Sequence, residues 1–334
     1  QARLAEESLA AESERLQEAE KAPVEDEPIS SALRIDLVRL ELGYGLLSMI
    51  NSPRGQKLTD QIKALRRQLA SEMGFVMPSV RIQDNMQLGA NNYVIRVKEI
   101  EAGRGDLRPS MLLVMDPRGD DITIPGEKTT EPTFGLPATW VDVSHREEAM
   151  FRGYTVVDPS TVITTHITEI IKDNMSELLS YAETQKLLDE LSPEHKRLAD
   201  DIIPGQITVT GMQRVLQTLL SERVSIRDLP SILEGVAEAV GHTQNTTQIT
   251  EHVRMRLARQ LGAAYADGDG VLQLVTLSPQ WEEAFAEALI GQGDERQLAM
   301  APSQLQEFIM TVRDTFEEAA GLGIVPVLLT SPGI

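Results

Sequence analysis

Cysteine is absent from all 334 residues, which rules out disulfides, thiolate metal sites and cysteine nucleophiles and fits a reducing compartment. Aromatic side chains are scarce at 4%, so the cores must be aliphatic. Positive charge is in deficit, with 31 lysines and arginines against 51 aspartates and glutamates, a formal charge of −20. A surface of that sign repels nucleic acid and anionic membrane and suits a partner with a basic face. Long apolar runs are missing too. None approaches the roughly 20 residues of a membrane helix, and the N-terminus is acidic rather than a signal peptide, so the chain as given is expected to be soluble. What remains is ordinary for globular proteins, 41% hydrophobic and 25% charged, in a chain too long for one core.

The motifs that carry chemistry are also missing. Gly126-Glu127-Lys128-Thr129 shares a glycine and a lysine with the end of a P-loop, but Asp121 stands where the first glycine belongs and Glu127 separates Gly126 from Lys128. The five histidines, His145, His166, His195, His242 and His252, form no HxxxH or HExxH pair. Asp267-Gly268-Asp269-Gly270 is followed by Val271 and Leu272 and has no glutamate at the twelfth place of a calcium loop, so it reads as a tight turn. There is no GxSxG elbow. The expectation is no enzyme, no cofactor, no metal and no catalytic residue; His166, beside Thr165, is assigned a structural hydrogen bond.

Along the chain, residues 1–32 read as an acidic, partly helical linker with only Leu4, Leu9 and Leu16 as sizeable apolar groups. The alternation from Ile35 to Leu40 predicts a strand, Gly43 and Gly45 bracket a bend, and Ser52-Pro53 opens a helix buried through Leu58, Ile62, Leu65, Leu69 and Met73. Strands are predicted at Val80 to Ile82 and Tyr93 to Ile100. Residues 104–149 are rich in glycine and proline, with a short strand at Met111 to Met115, and read as a small inserted module. The chain is then expected to rejoin the first domain through a strand at Tyr154 to Val157. The resulting fold class is a multidomain α/β (α+β) chain. It comprises the linker at 1–32, an α/β first domain of 33–103 plus 150–174, the inserted α+β module of 104–149, an all-helical domain of 175–248, and a C-terminal α/β domain of 249–334. That last domain is expected to be truncated, because the chain stops just past a buried strand at Ile324 to Leu329. Within the helical region, Thr210 to Gln213 suggests a capping box and Asp228 a cap. A loop or hinge is predicted over Gly241 to Gln248, and a helix over His252 to Leu261.

The stretch from Ile122 to Ile171 is the least ordinary. Phe134 lies among Pro132, Gly135 and Pro137, where neither helix nor strand supports it, and is either a core aromatic of the small module or a surface anchor. Asp158-Pro159 reads as an N-cap and first-turn proline. The helix that follows is built mostly from β-branched residues, which are poor helix formers and must be held by packing. Val162, Ile163, Ile167, Ile170 and Ile171 form the expected buried side, with Thr161, Thr165 and Thr168 on one face.

The strings PGEKTTEPTFGLPATW, GYTVVDPSTVITTHI and VSIRDLPSILE resemble the FlhA family (FHIPEP), export-gate subunits of bacterial flagellar type III secretion, and more distantly their virulence-injectisome relatives. The resemblance runs over nearly the whole chain after about residue 33. It implies the cytoplasmic portion of such a protein, at the cytoplasmic face of the bacterial inner membrane, with a membrane portion expected in the full protein. It further implies docking of flagellar export chaperones with bound substrates in a cleft between the first domain and the module, contacts with soluble export components such as the ATPase complex, and a ring of subunits. Carried over by motif, the chaperone-binding residues are Glu131, Phe134 and Thr165, with Val157 and Val162 as apolar lining; many relatives have Asp where Glu131 stands. Gly43 matches a glycine tied to domain motion. An injectisome paralogue, or an enzyme with an unrecognised site, remains the alternative.

Overall fold

The computed structural model describes residues 35–50, 58–291 and 297–331. The linker at 1–32 and the helix opening at Ser52-Pro53 lie outside the described residues. The alternating VRLEL segment forms β1 (Val38–Leu42), whose Val38, Leu40 and Leu42 are buried. It pairs in parallel with β2 (Val80–Asp84) and antiparallel with β3 (Asn92–Val97), which pairs with β4 (Ile100–Asp106), giving the order β2-β1-β3-β4. The first helix, α1 (Leu58–Met73), buries Leu58, Ile62, Leu65 and Leu69, as the spacing predicts; Met73 is half-buried.

The turn joining β3 to β4 is held by two residues with positive φ, Lys98 at 49° and Glu99 at 68°. Neither is a residue that tolerates the left-handed region well, although a two-residue hairpin turn of this hand demands it. Glu99 is committed to Arg39 across the sheet, whereas Lys98 is exposed. Replacing Lys98 with Asn is therefore expected to stabilise the protein by up to about 1 kcal/mol in chemical denaturation; an unchanged or lowered midpoint would mean the turn is not strained.

A second sheet has the order β6-β7-β5-β8 and is antiparallel throughout. It consists of β5 (Met111–Met115), β6 (Glu127–Thr130), β7 (Pro137–Asp142) and β8 (Thr155–Val157). The strand expected to lead back into the first domain pairs with β5, matching Leu113 to Val157 and Met115 to Thr155. The reason lies in β5, whose run of Leu112, Leu113 and Val114 is buried on both faces. Leu113, with Ala138 and Trp140 of β7, enters the large core shared with the first sheet. Leu112 and Val114, with Val141, join Ile124 and Ala149 in a small separate core under α2 (Arg146–Phe151). A strand with two apolar faces needs neighbours on both edges, and β8 supplies one.

The threonine-rich helix is α3 (Pro159–Leu178). Asp158 caps it, its carboxylate accepting from the amides of Ser160 and Thr161 at 3.0 Å each. Burial opposes ionisation of Asp158, but these bonds and the two hydroxyls offset it and hold the carboxyl below its ordinary value. Val162, Ile163, Ile167, Ile170 and Ile171 are all buried, so packing overrides a weak local preference for helix. The large core continues from α3 into five helices, α4 (Tyr181–Asp189), α5 (Pro193–Ile202), α6 (Val209–Ser221), α7 (Leu229–Val240) and α8 (Thr246–Arg256). The cap of α6 is Thr208, which accepts from the Gly211 amide at 3.0 Å. The expected box began two residues late, because Val209 and Thr210 are already helical. Asp228 caps α7 as predicted. Asn245 caps α8 and α9 (Ala258–Tyr265) follows, so helix begins inside the predicted loop and breaks at Leu257.

Toward the end, β9 (Leu274–Thr276) and β12 (Val327–Leu329) form a parallel pair. Between them in the chain come a short ribbon of β10 (Leu289–Ile290) and β11 (Gln297–Leu298), and the helices α10 (Pro279–Ala288) and α11 (Pro302–Gly321). Asp267 closes the preceding turn by accepting from the amides of Asp269 and Val271, as a tight turn requires. Trp281, Phe285 and Phe308 cluster with ring centroids 4.8 to 6.4 Å apart. The final strand, expected to be buried, is half-exposed, pairing among the described residues with β9 alone. Among the described residues no helix is long and apolar enough to cross a membrane.

Candidate docking site

Between β6 and β7 the chain turns through residues 131–136, and the turn is tied by its own backbone. The Glu131 amide donates to the Leu136 carbonyl at 2.8 Å and the Gly135 amide to the Glu131 carbonyl at 3.0 Å. Gly135 takes a φ of 70° there, a conformation glycine adopts without strain. The Phe134 amide donates to Oε2 of Glu131 at 2.6 Å. This bond turns the glutamate inward, where it is only 4% exposed, and the phenylalanine outward, 61% exposed. Phe134 is thus not a core aromatic of the module, whereas Trp140 is buried, 2% exposed, and faces the large core. Leu136, two residues further on, is also exposed.

The other residues assigned to the site lie on β8 and α3. Val157 is half-buried against the large core and Val162 is buried within it. Thr165 lines a cavity of about 430 Å³ between α1 and α3, together with Asp60, Gln61, Gln68, Thr161, Thr164 and Thr168. Phe134 is not among the residues that line this cavity. Several of the hydroxyls are engaged within their own helix. Thr164 donates to the Ser160 carbonyl at 2.6 Å and Thr168 to the Thr164 carbonyl at 2.7 Å, while Gln61 reaches across from α1 to the Ser160 hydroxyl at 3.3 Å.

Tyr93 and His166 form a buried polar pair. Tyr93 of β3, fully buried, hydrogen-bonds through its hydroxyl to Nδ1 of His166 of α3 at 2.7 Å, with the rings edge to face. This is the structural hydrogen bond assigned to His166. Burial, and secondarily the charge of Glu131, push the Tyr93 phenol far above its ordinary value. Burial pushes the His166 imidazole below its ordinary value, and the Glu131 charge offsets part of that. An imidazole harder to protonate when folded leaves the unfolded chain binding more protons below its own pKa. Stability is therefore complete above about pH 6.5 and falls on acidification through that value. Denaturation midpoints from about pH 7.5 to about 5.5 should fall more steeply for the wild type than for His166→Asn. Equal slopes would exclude His166 as the cause.

Gly43 begins the 3-10 turn of Tyr44–Met49 at the end of β1, with an ordinary φ of −66°. Its amide donates to the Asn92 carbonyl at 2.8 Å, and that of Gly45 to the Ala90 carbonyl at 2.8 Å. What it needs is room, since a Cβ there would lie 2.1 Å from the Gly89 carbonyl oxygen and 2.7 Å from that of Ala90.

Comparison with known proteins bears on the whole chain. The profile described as the FHIPEP family matches residues 1–334. The flagellar biosynthesis protein FlhA of Caulobacter vibrioides is 62% identical over 319 residues, 96% of this chain and 46% of that protein. The chain therefore spans less than half the length of this curated relative. Among solved structures, the Chlamydia pneumoniae CdsV protein aligns with a TM-score of 0.75 at 23% identity, covering 93% of this chain and 88% of the other. The CdsV and CdsO complex aligns at 0.76 and 23% identity, covering 89% and 87%. Nonameric EPEC SctV-C aligns at 0.67 and 18% identity, covering 84% and 83%. These likenesses show a shared fold. The family profile and the curated relative together place the chain in the FHIPEP family, that of the flagellar biosynthesis protein FlhA.

Proposed function

We propose that this chain is the cytoplasmic docking platform of a flagellar type III protein export gate. It receives export chaperones loaded with their substrates and helps order export during flagellum assembly, at the cytoplasmic face of the bacterial inner membrane. The observation that carries this reading is the Phe134 turn, an aromatic 61% exposed on a backbone whose ties are already made. An anchor of that kind loses little conformational freedom on binding. Glu131 serves by holding the turn, Thr165 by lining the groove of α1 and α3, and Val157 and Val162 by supporting the surface from beneath. The net charge of −20 steers partners with basic faces toward it. The work is docking rather than catalysis.

The flagellar reading is preferred to the injectisome one because the 62% identity is to a flagellar protein, whereas the injectisome likenesses are of fold. By analogy with nonameric SctV-C and with CdsV bound to CdsO, the full protein assembles as a ring and meets soluble export components. The division at 33–103 with 150–174, 104–149, 175–248 and 249–334 belongs to the same proposal, with movement about Gly43 opening or closing the surface. Scattering profiles of the free and chaperone-bound chain that coincide would count against that movement.

Calorimetric titration with a flagellar export chaperone bound to its cargo tests the docking reading. Saturable binding in roughly the micromolar range is expected, weakened about fivefold in Thr165→Ala, which is too near the surface to disturb the core. Absence of binding between folded partners would sink it.

A further inference from the structure

The helix α6 ends on an arginine where the backbone suits glycine. Arg223 has a φ of 56°. Its amide donates to the Leu220 carbonyl at 3.0 Å, and that of Val224 donates to the Leu219 carbonyl at 2.9 Å. This is the bonding of a helix end closed through one left-handed residue, a place that glycine fills without strain and a larger residue does not. The reason for an arginine there lies in what its side chain reaches. The guanidinium pairs with Glu169 at 3.1 Å and with Asp173, both on α3. Two residues further on, the same segment turns to α1. The Ser225 hydroxyl donates to the Glu72 carbonyl at 2.7 Å and the Ile226 amide to the Met73 carbonyl at 2.9 Å. Carbonyls in the last turn of a helix have no partner within the helix, and this segment supplies one to each. Gly74, with a φ of 67°, permits the approach, because a Cβ on it would lie 2.4 Å from the Arg227 amide nitrogen. Ile226 is buried in the large core, so the segment is anchored there as well.

Residues 223–226 therefore bridge α1 and α3, the two helices whose Gln68, Thr165 and Thr168 line the groove of the candidate docking site. At one end of that groove the helices are tied directly, Gln61 of α1 donating to the Ser160 hydroxyl beside α3 Thr161 at 3.3 Å. Past Gln68 and Thr168 the next turn of each helix is held by the bridge instead. We infer that the segment 223–226 is a strut that sets the spacing of α1 and α3, with Arg223 a positioning residue for docking at the groove. The consequence for docking rests on the function proposed above, whereas the spacing does not.

The absence of cysteine from the chain makes the spacing measurable. Nitroxide labels at Arg67→Cys of α1 and Glu177→Cys of α3, both exposed positions, give a distance distribution in the free chain by pulsed electron spin resonance. Three further changes are made in this labelled background. Arg223→Gly removes the guanidinium but suits the backbone, so it should stay folded. Ser225→Ala removes one tie to α1, and Arg223→Lys keeps the charge facing Glu169 and Asp173. The first two should broaden the distribution and weaken binding of the cargo-loaded chaperone about fivefold, the scale of a partly exposed ion pair. Arg223→Lys should restore both. An arginine that merely closed α6 would be replaced by glycine with no effect on either readout. Wild-type distributions in folded Arg223→Gly and Ser225→Ala would overturn the inference, and should Arg223→Gly fail to fold, Ser225→Ala decides. Broadened distributions with affinity unchanged, while Phe134→Ala weakens binding, would overturn the part of the strut in docking. Broadened distributions with affinity unchanged in Phe134→Ala and Thr165→Ala too would support the strut and overturn the docking reading.

Discussion

Replacing Phe134 with alanine is expected to weaken binding of a cargo-loaded export chaperone by at least about thirtyfold, roughly 2 kcal/mol, and to leave the fold intact. The two halves of this expectation have one origin. A side chain 61% exposed contributes little to the core, so its removal should move the denaturation midpoint by no more than about 0.5 kcal/mol. The backbone of the turn stays as it is, because its ties are the Glu131 carboxylate and main-chain bonds, none of which involves the ring. The variant therefore removes an anchor while keeping the platform. Titration beside circular dichroism would show lost affinity at unchanged stability. Affinity within twofold of the wild type would place the docking surface elsewhere on the chain. Glu131→Ala should behave differently, losing stability as well as affinity, since it leaves the Phe134 amide without its partner.

The second large effect is expected at Gly43. An added methyl would overlap two backbone carbonyls, at 2.1 and 2.7 Å, and backbone cannot swing aside as a flexible side chain can. Because φ at Gly43 is an ordinary −66°, alanine suffers no strain in its own conformation; the whole cost comes from pushing β1 away from residues 89–90. That displacement would stretch the bonds from Gly43 to Asn92 and from Gly45 to Ala90. Gly43→Ala should cost about 3 kcal/mol in the transition that reports the first sheet, with serine at least as costly. Hydrogen exchange across β1 and β3 would locate the loss. A variant that keeps wild-type protection in these strands yet alters docking would instead favour a hinge at Gly43, with the methyl acting on movement rather than on fit.

Much of the architecture was legible in local pattern. Leu58, Ile62, Leu65 and Leu69 announced α1, Asp158-Pro159 announced the start of α3, and Asp228 announced α7, because spacing, capping and fixed φ are properties of a few neighbouring residues. The Phe134 turn was legible as an anomaly, an aromatic among prolines and glycine, though its direction was not. Whether Phe134 faces water or core depends on the ties of its turn, the Glu131 carboxylate on the Phe134 amide and the main-chain bonds of Glu131, which the local spacing does not mark. The pairing of β8 escaped for the same reason. TVV carries no mark of its partner, and the need of β5 for neighbours on both edges arises only when Leu113 and Leu112 have been sent to different cores.

The sequence by itself determined the class of this protein, the absence of thiol chemistry and the excess of acidic residues, since composition and motif survive without coordinates. Only the tertiary structure decided that Glu131 points inward while Phe134 points outward, and that Thr165 opens onto a groove with α1. It alone placed Tyr93, 73 residues from His166 in the chain, within hydrogen-bonding distance of it. Contacts of that separation arise from the meeting of a sheet and a helix, and no short stretch of sequence contains both.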